Sequence, residues 1–128
     1  MDREVFPAPR TAFLHEWCAM PDSAGLAWMQ NDRIGGWGVI RRCRNGHKIG
    51  PLVADEPAIA SALYTGLCNT VPAGDAVYLD VPEPNGAAVA LAQANGMSSV
   101  FETARRYKGL APECNLSALY GITTLELG

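Results

Sequence analysis

The chain has 128 residues, 48 % of them hydrophobic and 18 % charged, and a formal net charge of −3. That length supports one domain with a real core but not two, and the composition is too ordinary for a disordered chain. The acidic balance gives no reason to expect nucleic-acid binding, which asks for a basic face.

A short turn around Pro7 and Pro9 comes first. Thr11 is placed to cap a helix from about Ala12 to Met20, with Phe13, Leu14 and Trp17 on one face and Glu16 in the polar arc. Pro21-Asp22-Ser23 ends it. Leu26 to Met29 reads as a short strand, Asn31-Asp32 as a turn, and Ile34 to Arg44 as a longer strand. Asn45-Gly46 is a two-residue hairpin signal, because both residues tolerate positive φ. His47 to Ala54 is the return strand, which completes a three-stranded antiparallel meander. Helical patterning begins after Asp55. Asp55 or Glu56 can cap, Pro57 suits the first turn, and Ile59, Leu63 and Leu67 form one stripe.

After a loop from Asn69 to Gly74, Ala76 to Val81 is nearly all apolar, the pattern of a central strand covered on both faces. Asn85 caps the next helix, which runs to about Asn95 and stops at Gly96. Val100 to Tyr107 reads as a strand, 109 to 118 as a loop, and the alternating run Ile122 to Leu127 as the closing strand. The order is helix, three strands, helix, strand, helix, two strands. That is a mixed α/β (α+β) sheet with helices on both faces, in which a strand–helix–strand crossover follows the meander.

Two long stretches, Pro57 to Gly74 and Pro84 to Phe101, carry no charge. Both contain Gly, Pro and Asn, and they read as helix plus loop rather than membrane spans. The polar start Met1-Asp2-Arg3-Glu4 has no apolar signal region, so the cytoplasm is the expected location. Cys18, Cys43, Cys68 and Cys114 include no C-x-x-C pair, and only His15 and His47 could join them. The expectation is four reduced, mostly buried thiols and no metal.

Around the third helix the sequence reads Asn85, Ala88, Leu91-Ala92, Gly96-Met97. With the strand order, this resembles the GNAT N-acetyltransferase fold, whose common pattern there is Asn, often Ala, Leu-Tyr, then Gly-Phe. Supporting segments include Asp2 to Phe6, Arg10, Trp17, Gly38 to Arg41, Lys48 to Leu52, Leu79 to Glu83 and Gly121 to Thr123. They are most similar to the second GNAT-like domain of two-domain bacterial acetyltransferases. The resemblance implies a single domain over 1–128 that lacks the first strand and helix of the full fold. It also implies an uncovered sheet edge near Leu26 to Met29, and hence a homodimer or a partner GNAT domain there.

The resemblance implies acetyl transfer from acetyl-CoA to a small amine. The backbone of Leu52, Val53 and Ala54 would line the pantetheine arm. The helix start at Ala58, Ile59 and Ala60 would meet the diphosphate as an anion site, and Asn85 would lie near the arm. Asp80 or Glu83, at the end of a central strand, is the candidate amine-activating base. Two departures stand against this. The diphosphate loop reads Asp55-Glu56-Pro57, with like charge, no glycine and one donor removed by proline. The usual Tyr proton donor falls at Ala92, which leaves Tyr64, Tyr78 or Tyr107 as substitutes. Two functions therefore stay open: an acyltransferase, or a non-catalytic GNAT-like module for ligand binding or dimerisation.

The charged residues Arg41, Arg42, Arg44 and Lys48 flank the hairpin tip, with Arg42 and Arg44 on one face and Arg41 on the other. They read as a solvated tip or as a contact for a phosphate or acidic substrate. Glu102 and Glu126 read as surface residues. Trp17, Trp28 and Trp37 belong to the core or an interface.

Overall fold

The structure, a computed structural model, describes residues 1–6, 8–100, 102–103 and 108–125. Two helices open it, α1 (Asp2–Val5) and α2 (Thr11–Cys18). The first of these precedes the turn expected around Pro7 and Pro9, of which Pro7 lies outside the described residues. Arg10 fixes the segment: its Nη2 lies 2.7 Å from Asp2 Oδ1, and its guanidinium stacks 3.9 Å from the Phe6 ring centroid. Arg10, not Thr11, is the N-cap of α2, and Thr11 is the first helical residue. The apolar stripe of α2 is only half-buried, and the Trp17 indole N–H anchors the helix by donating to Gly50 O at 2.9 Å.

The meander follows as β1 (Ser23–Gln30), β2 (Arg33–Cys43) and β3 (Gly46–Ala54). Asn31 and Asp32 both take positive φ, 50° and 61°, the tight turn whose twist suits a hairpin. At the second hairpin the turn residues are Arg44 and Asn45, one position earlier than expected. Gly46 pairs with Cys43 and carries the positive φ of 119°.

Helix α3 (Pro57–Cys68) begins at Glu56 with Pro57 in its first turn. It buries Ile59, Leu63 and Leu67 as the stripe predicts, with Ala60 and Tyr64 beside them. It settles close to β2 because β2 offers glycine. A Cβ on Gly36 would lie 2.7 Å from Ile59 Cγ2 and 2.9 Å from Leu63 Cδ1.

Strand β4 (Val77–Leu79) runs parallel to β3, and α4 (Gly86–Ala94) packs beside α3. Expected as a strand covered on both faces, β4 has one face open, with Tyr78 39 % exposed. The apolar cluster on that face gathers over β2, β3 and the chain end instead. After a 3-10 turn at Leu116–Ala118, β5 (Leu119–Gly121) pairs with β3.

The last strand therefore lies three residues before the expected 122–127, and Ile122 to Leu125 are outside it. Pairing and apolar packing go together here: Leu119 and Gly121 are in register with Val53 and Leu52 of β3, and Leu119 and Tyr120 fall one in each core cluster, whereas the equally buried Thr123 and Thr124 are polar. Of the strand expected over 100–107, residues 101 and 104–107 lie outside the described residues, and Val100, Glu102 and Thr103 are not in a strand. Residues 126–128 also lie outside the described residues, which removes Glu126 from view.

The sheet order is β1-β2-β3-β4, with β5 beside β4 on the same edge of β3. One core holds Ile40, Ile49, Leu52, Tyr120 and the inner faces of α3 and α4. A smaller core on the opposite face holds Val5, Val53, Ala118 and Leu119, with Trp37 against it. Neighbours Leu52 and Val53 belong to different cores because strand side chains alternate. Among the described residues, no helix is long and apolar enough to cross a membrane.

Candidate functional site

Strands β3 and β4 pair only over His47–Ile49 and Val77–Leu79. Beyond Leu79 the two chains separate, and β5 enters the gap. Leu52 faces Gly121 and Val53 faces Leu119, while the Ile122 N–H donates to Asp80 O at 2.9 Å. Two glycines permit this wedge. A Cβ on Gly121 would lie 2.5 Å from Leu79 Cδ1, and a Cβ on Gly50 would lie 2.5 Å from Ile122 O and 2.6 Å from Thr123 O.

The residues expected to hold acetyl-CoA fall in and around this gap. Leu52, Val53 and Ala54 are all 0 % exposed. The backbone of Leu52 is flanked by Gly38 and Gly121, and that of Val53 by Trp37 and Leu119. At the start of α3, the N–H groups of Ile59 and Ala60 both donate to Glu56 O at 3.1 Å. Asp55 is bound to Arg33 at 2.8 Å. The Glu56 carboxylate makes no cap hydrogen bond and, with Gln30, Asn31 and Arg33, lines an open polar cleft of about 360 Å³.

Asn85 is 5 % exposed and fully engaged. Its Oδ1 accepts from Ala87 N and Ala88 N, and its Nδ2 donates to Ser117 O and Leu119 O. This set does not fit a thioester arm laid along β3. The arm's place holds β5, the helix start presents carboxylates, and Asn85 ties the helix to β5.

The candidate bases are placed differently from each other. Asp80 is ion-paired with Lys48, both side chains 17 % exposed, and Glu83 is exposed in the turn before Asn85. Of the phenols that could stand in at Ala92, Tyr64 is buried, with its hydroxyl 3.6 Å from Met97 Sδ. Burial, with Cys68 beside it, pushes its pKa up to about 12, unsuited to proton donation near neutrality. Tyr78 is in register with Lys48 on the open face of β4. Tyr107 lies outside the described residues.

The basic hairpin splits as alternation requires. Arg42 and Arg44, with His47 and Asp75, line an open cleft of about 350 Å³ in which His47 Nε2 and Asp75 Oδ2 are 3.0 Å apart. Arg41 lies on the other face, 5.0 Å from the Trp17 ring centroid. Trp28 is 41 % exposed at the sheet edge, whereas Trp37 packs against the smaller core. The four thiols are free, Cys18 exposed and the others half-buried rather than buried. Among the described residues, no group of three or more His, Cys, Asp or Glu is placed to hold a metal ion.

Three features of the site were not in the expectations: the Lys48–Asp80 pair, the donors from Asn85 to β5, and the wedge of Leu119 to Gly121. The pair joins residues 32 positions apart and leaves no local pattern. The wedge did leave a signal, since Leu119-Tyr120-Gly121-Ile122 is an apolar run with a glycine where strands could close.

Comparison with known proteins agrees with the architecture. The sequence model of the acetyltransferase (GNAT) domain family matches residues 1–121. The holothin acyltransferase of Pseudoalteromonas sp. (strain SANK 73390) is 28 % identical over 127 residues, which are 99 % of this chain and 43 % of that protein. A crystal structure from Pyrococcus horikoshii, of a protein named provisionally as an acetyltransferase, aligns with a TM-score of 0.68 and 24 % identity. It covers 99 % of this chain and 41 % of that one, and it speaks to the fold alone. The chain thus spans less than half the length of both. With a family match over nearly its whole length and the mixed sheet and helices to go with it, the chain belongs to the GNAT acetyltransferase domain family.

Proposed function

We propose that this domain is a non-catalytic GNAT module that supports a catalytic GNAT domain within a larger acyltransferase. One observation carries the reading: both backbone edges of Leu52 and Val53 are paired, to β2 and to β5, where the donor's arm would need them. The carboxylates and proline at the start of α3, and Ala92 in place of a phenol, point the same way. The named acyltransferase relative is more than twice as long, which leaves room in such an assembly for a second domain that binds acetyl-CoA.

The alternative is an acyltransferase that moves an acetyl group from acetyl-CoA to a small amine. Tyr78 favours it, as an exposed phenol in register with Lys48, the ion-pair partner of Asp80. It requires β5 to leave the gap. Titration calorimetry with acetyl-CoA separates the two. The module gives no binding heat and no thermal shift at millimolar ligand. Saturable binding together with acetyl transfer to an amine would overturn the module reading.

A further inference from the structure

The tip of the β2–β3 hairpin carries positive charge that the proposed function leaves unused. Of its basic residues, Lys48 is paired with Asp80, and Arg41 lies against Trp17 on the other face. Arg42 and Arg44 remain, both exposed. The chain has thirteen acidic residues, yet among the described residues neither arginine has a carboxylate within ion-pair distance.

Both arginines line the open cleft of about 350 Å³, whose floor is fixed. Three contacts hold the hairpin to the loop before β4. The His47 N–H donates to Ala76 O at 2.8 Å. His47 Nε2 meets Asp75 Oδ2 at 3.0 Å. Gly46 presses on the same loop, where its Cβ would lie 2.5 Å from Ala76 O. On the side of β1, the Arg42 N–H donates to Asp22 O at 3.0 Å. The lining thus sets two guanidinium groups against one carboxylate, and that carboxylate is bonded to His47.

We infer that this cleft binds a phosphoryl group, carried by a small phosphate monoester or as the free ion. Two observations select that chemistry. Arg42 and Arg44 are two residues apart, at most about 7 Å between Cα atoms, so both forks reach one small group. A phosphoryl group offers three acceptor oxygens and nearly two negative charges, enough for two forks, whereas the two oxygens of a carboxylate are met by one. The volume also lies at the small end of the range for ligand sites, which suits a small ester. The cleft is separate from the gap between β3 and β4. His47 is near the start of β3, and Leu52 follows about 16 Å further along the strand. The inference therefore stands whether or not the domain binds acetyl-CoA.

Amide shifts in NMR spectra of the full chain test it, in titrations with sodium phosphate and with glycerol 3-phosphate at constant ionic strength. Saturating shifts are expected from Arg42 to His47 and at Asp75 and Ala76, and none at Leu52 to Ala54. Two exposed forks should hold inorganic phosphate with a Kd of about 10 mM. That is too weak for the phosphates of acetyl-CoA to add heat at this cleft in the calorimetry above. Tighter binding of the ester assigns an esterified ligand, and equal binding the free ion. The double variant Arg42→Gln, Arg44→Gln changes exposed side chains only, so its circular dichroism should match wild type. It should bind phosphate at least about tenfold more weakly, while Glu16→Lys on α2 should bind it unchanged. Acetate or chloride that reproduces the shifts overturns the inference, as does a folded double variant that binds phosphate like wild type.

Discussion

Asn85 uses every polar atom of its side chain. Its carbonyl caps α4 and its amide holds Ser117 O and Leu119 O. Asn85→Ala should therefore cost the cap, about 1 kcal/mol, and leave the buried Leu119 carbonyl without this donor, about 1–3 kcal/mol more. Denaturant titration with an unchanged slope should report a total of about 2–4 kcal/mol, and a loss under about 0.5 kcal/mol would mean the amide is idle. Asp80 and Lys48 make a second residue-scale case. Asp80→Ala strands a mostly buried ammonium and should cost about 1–3 kcal/mol, below the range for fully buried pairs. A double-mutant cycle with Lys48→Met should show coupling, and additivity within about 0.5 kcal/mol would deny the pair. Tyr64 predicts a pH dependence. Burial raises its folded pKa to about 12 from 10, so its contribution is complete below pH 10 and lost as pH rises towards 12. Burial raises the Cys68 thiol as well, which adds to the loss from pH 9 upward. Unfolding free energy measured across that alkaline range should fall for wild type and fall less for Tyr64→Phe.

At the scale of elements, β5 decides what the gap between β3 and β4 can do. Gly121 is where the wedge is tightest. Gly121→Val should push its side chain against Leu79 and Leu52, destabilise by at least about 1–3 kcal/mol, and release the Ile122 amide to fast exchange. Slow exchange at Ile122 in that variant would show that the wedge does not depend on this contact. The sequence made the local elements legible where a period or a turn residue was decisive. Asn31-Asp32, the Ile59/Leu63/Leu67 stripe, Pro57 at a helix start and Asn85 at another all stand where the pattern places them. It misplaced what rests on non-local contact. The alternation of Ile122 to Leu127 looked more strand-like than Leu119 to Gly121, yet two cores and Asn85 favour the earlier residues. The open face of Tyr78 was hidden for the same reason, since an apolar run does not say how far the opposite layer extends.

For the whole molecule, the architecture was readable because strand order and the Asn85 helix belong together in one family pattern, and the family match bears that out. The site was half-readable. The carboxylates and proline at 55–57 and Ala92 already argued against a donor site, but the pairing of β5 with Leu52 and Val53 is non-local and leaves no sequence pattern that puts the chain's own strand in the gap. The two readings of function meet at one set of amides. Hydrogen exchange at Leu52, Val53 and Gly121 to Ile122, read by NMR with and without millimolar acetyl-CoA, tests the central claim most directly. The account predicts slow exchange at all of these positions, unchanged by acetyl-CoA. Fast exchange in the free protein that becomes slow at Leu52 and Val53 when acetyl-CoA is added would contradict it.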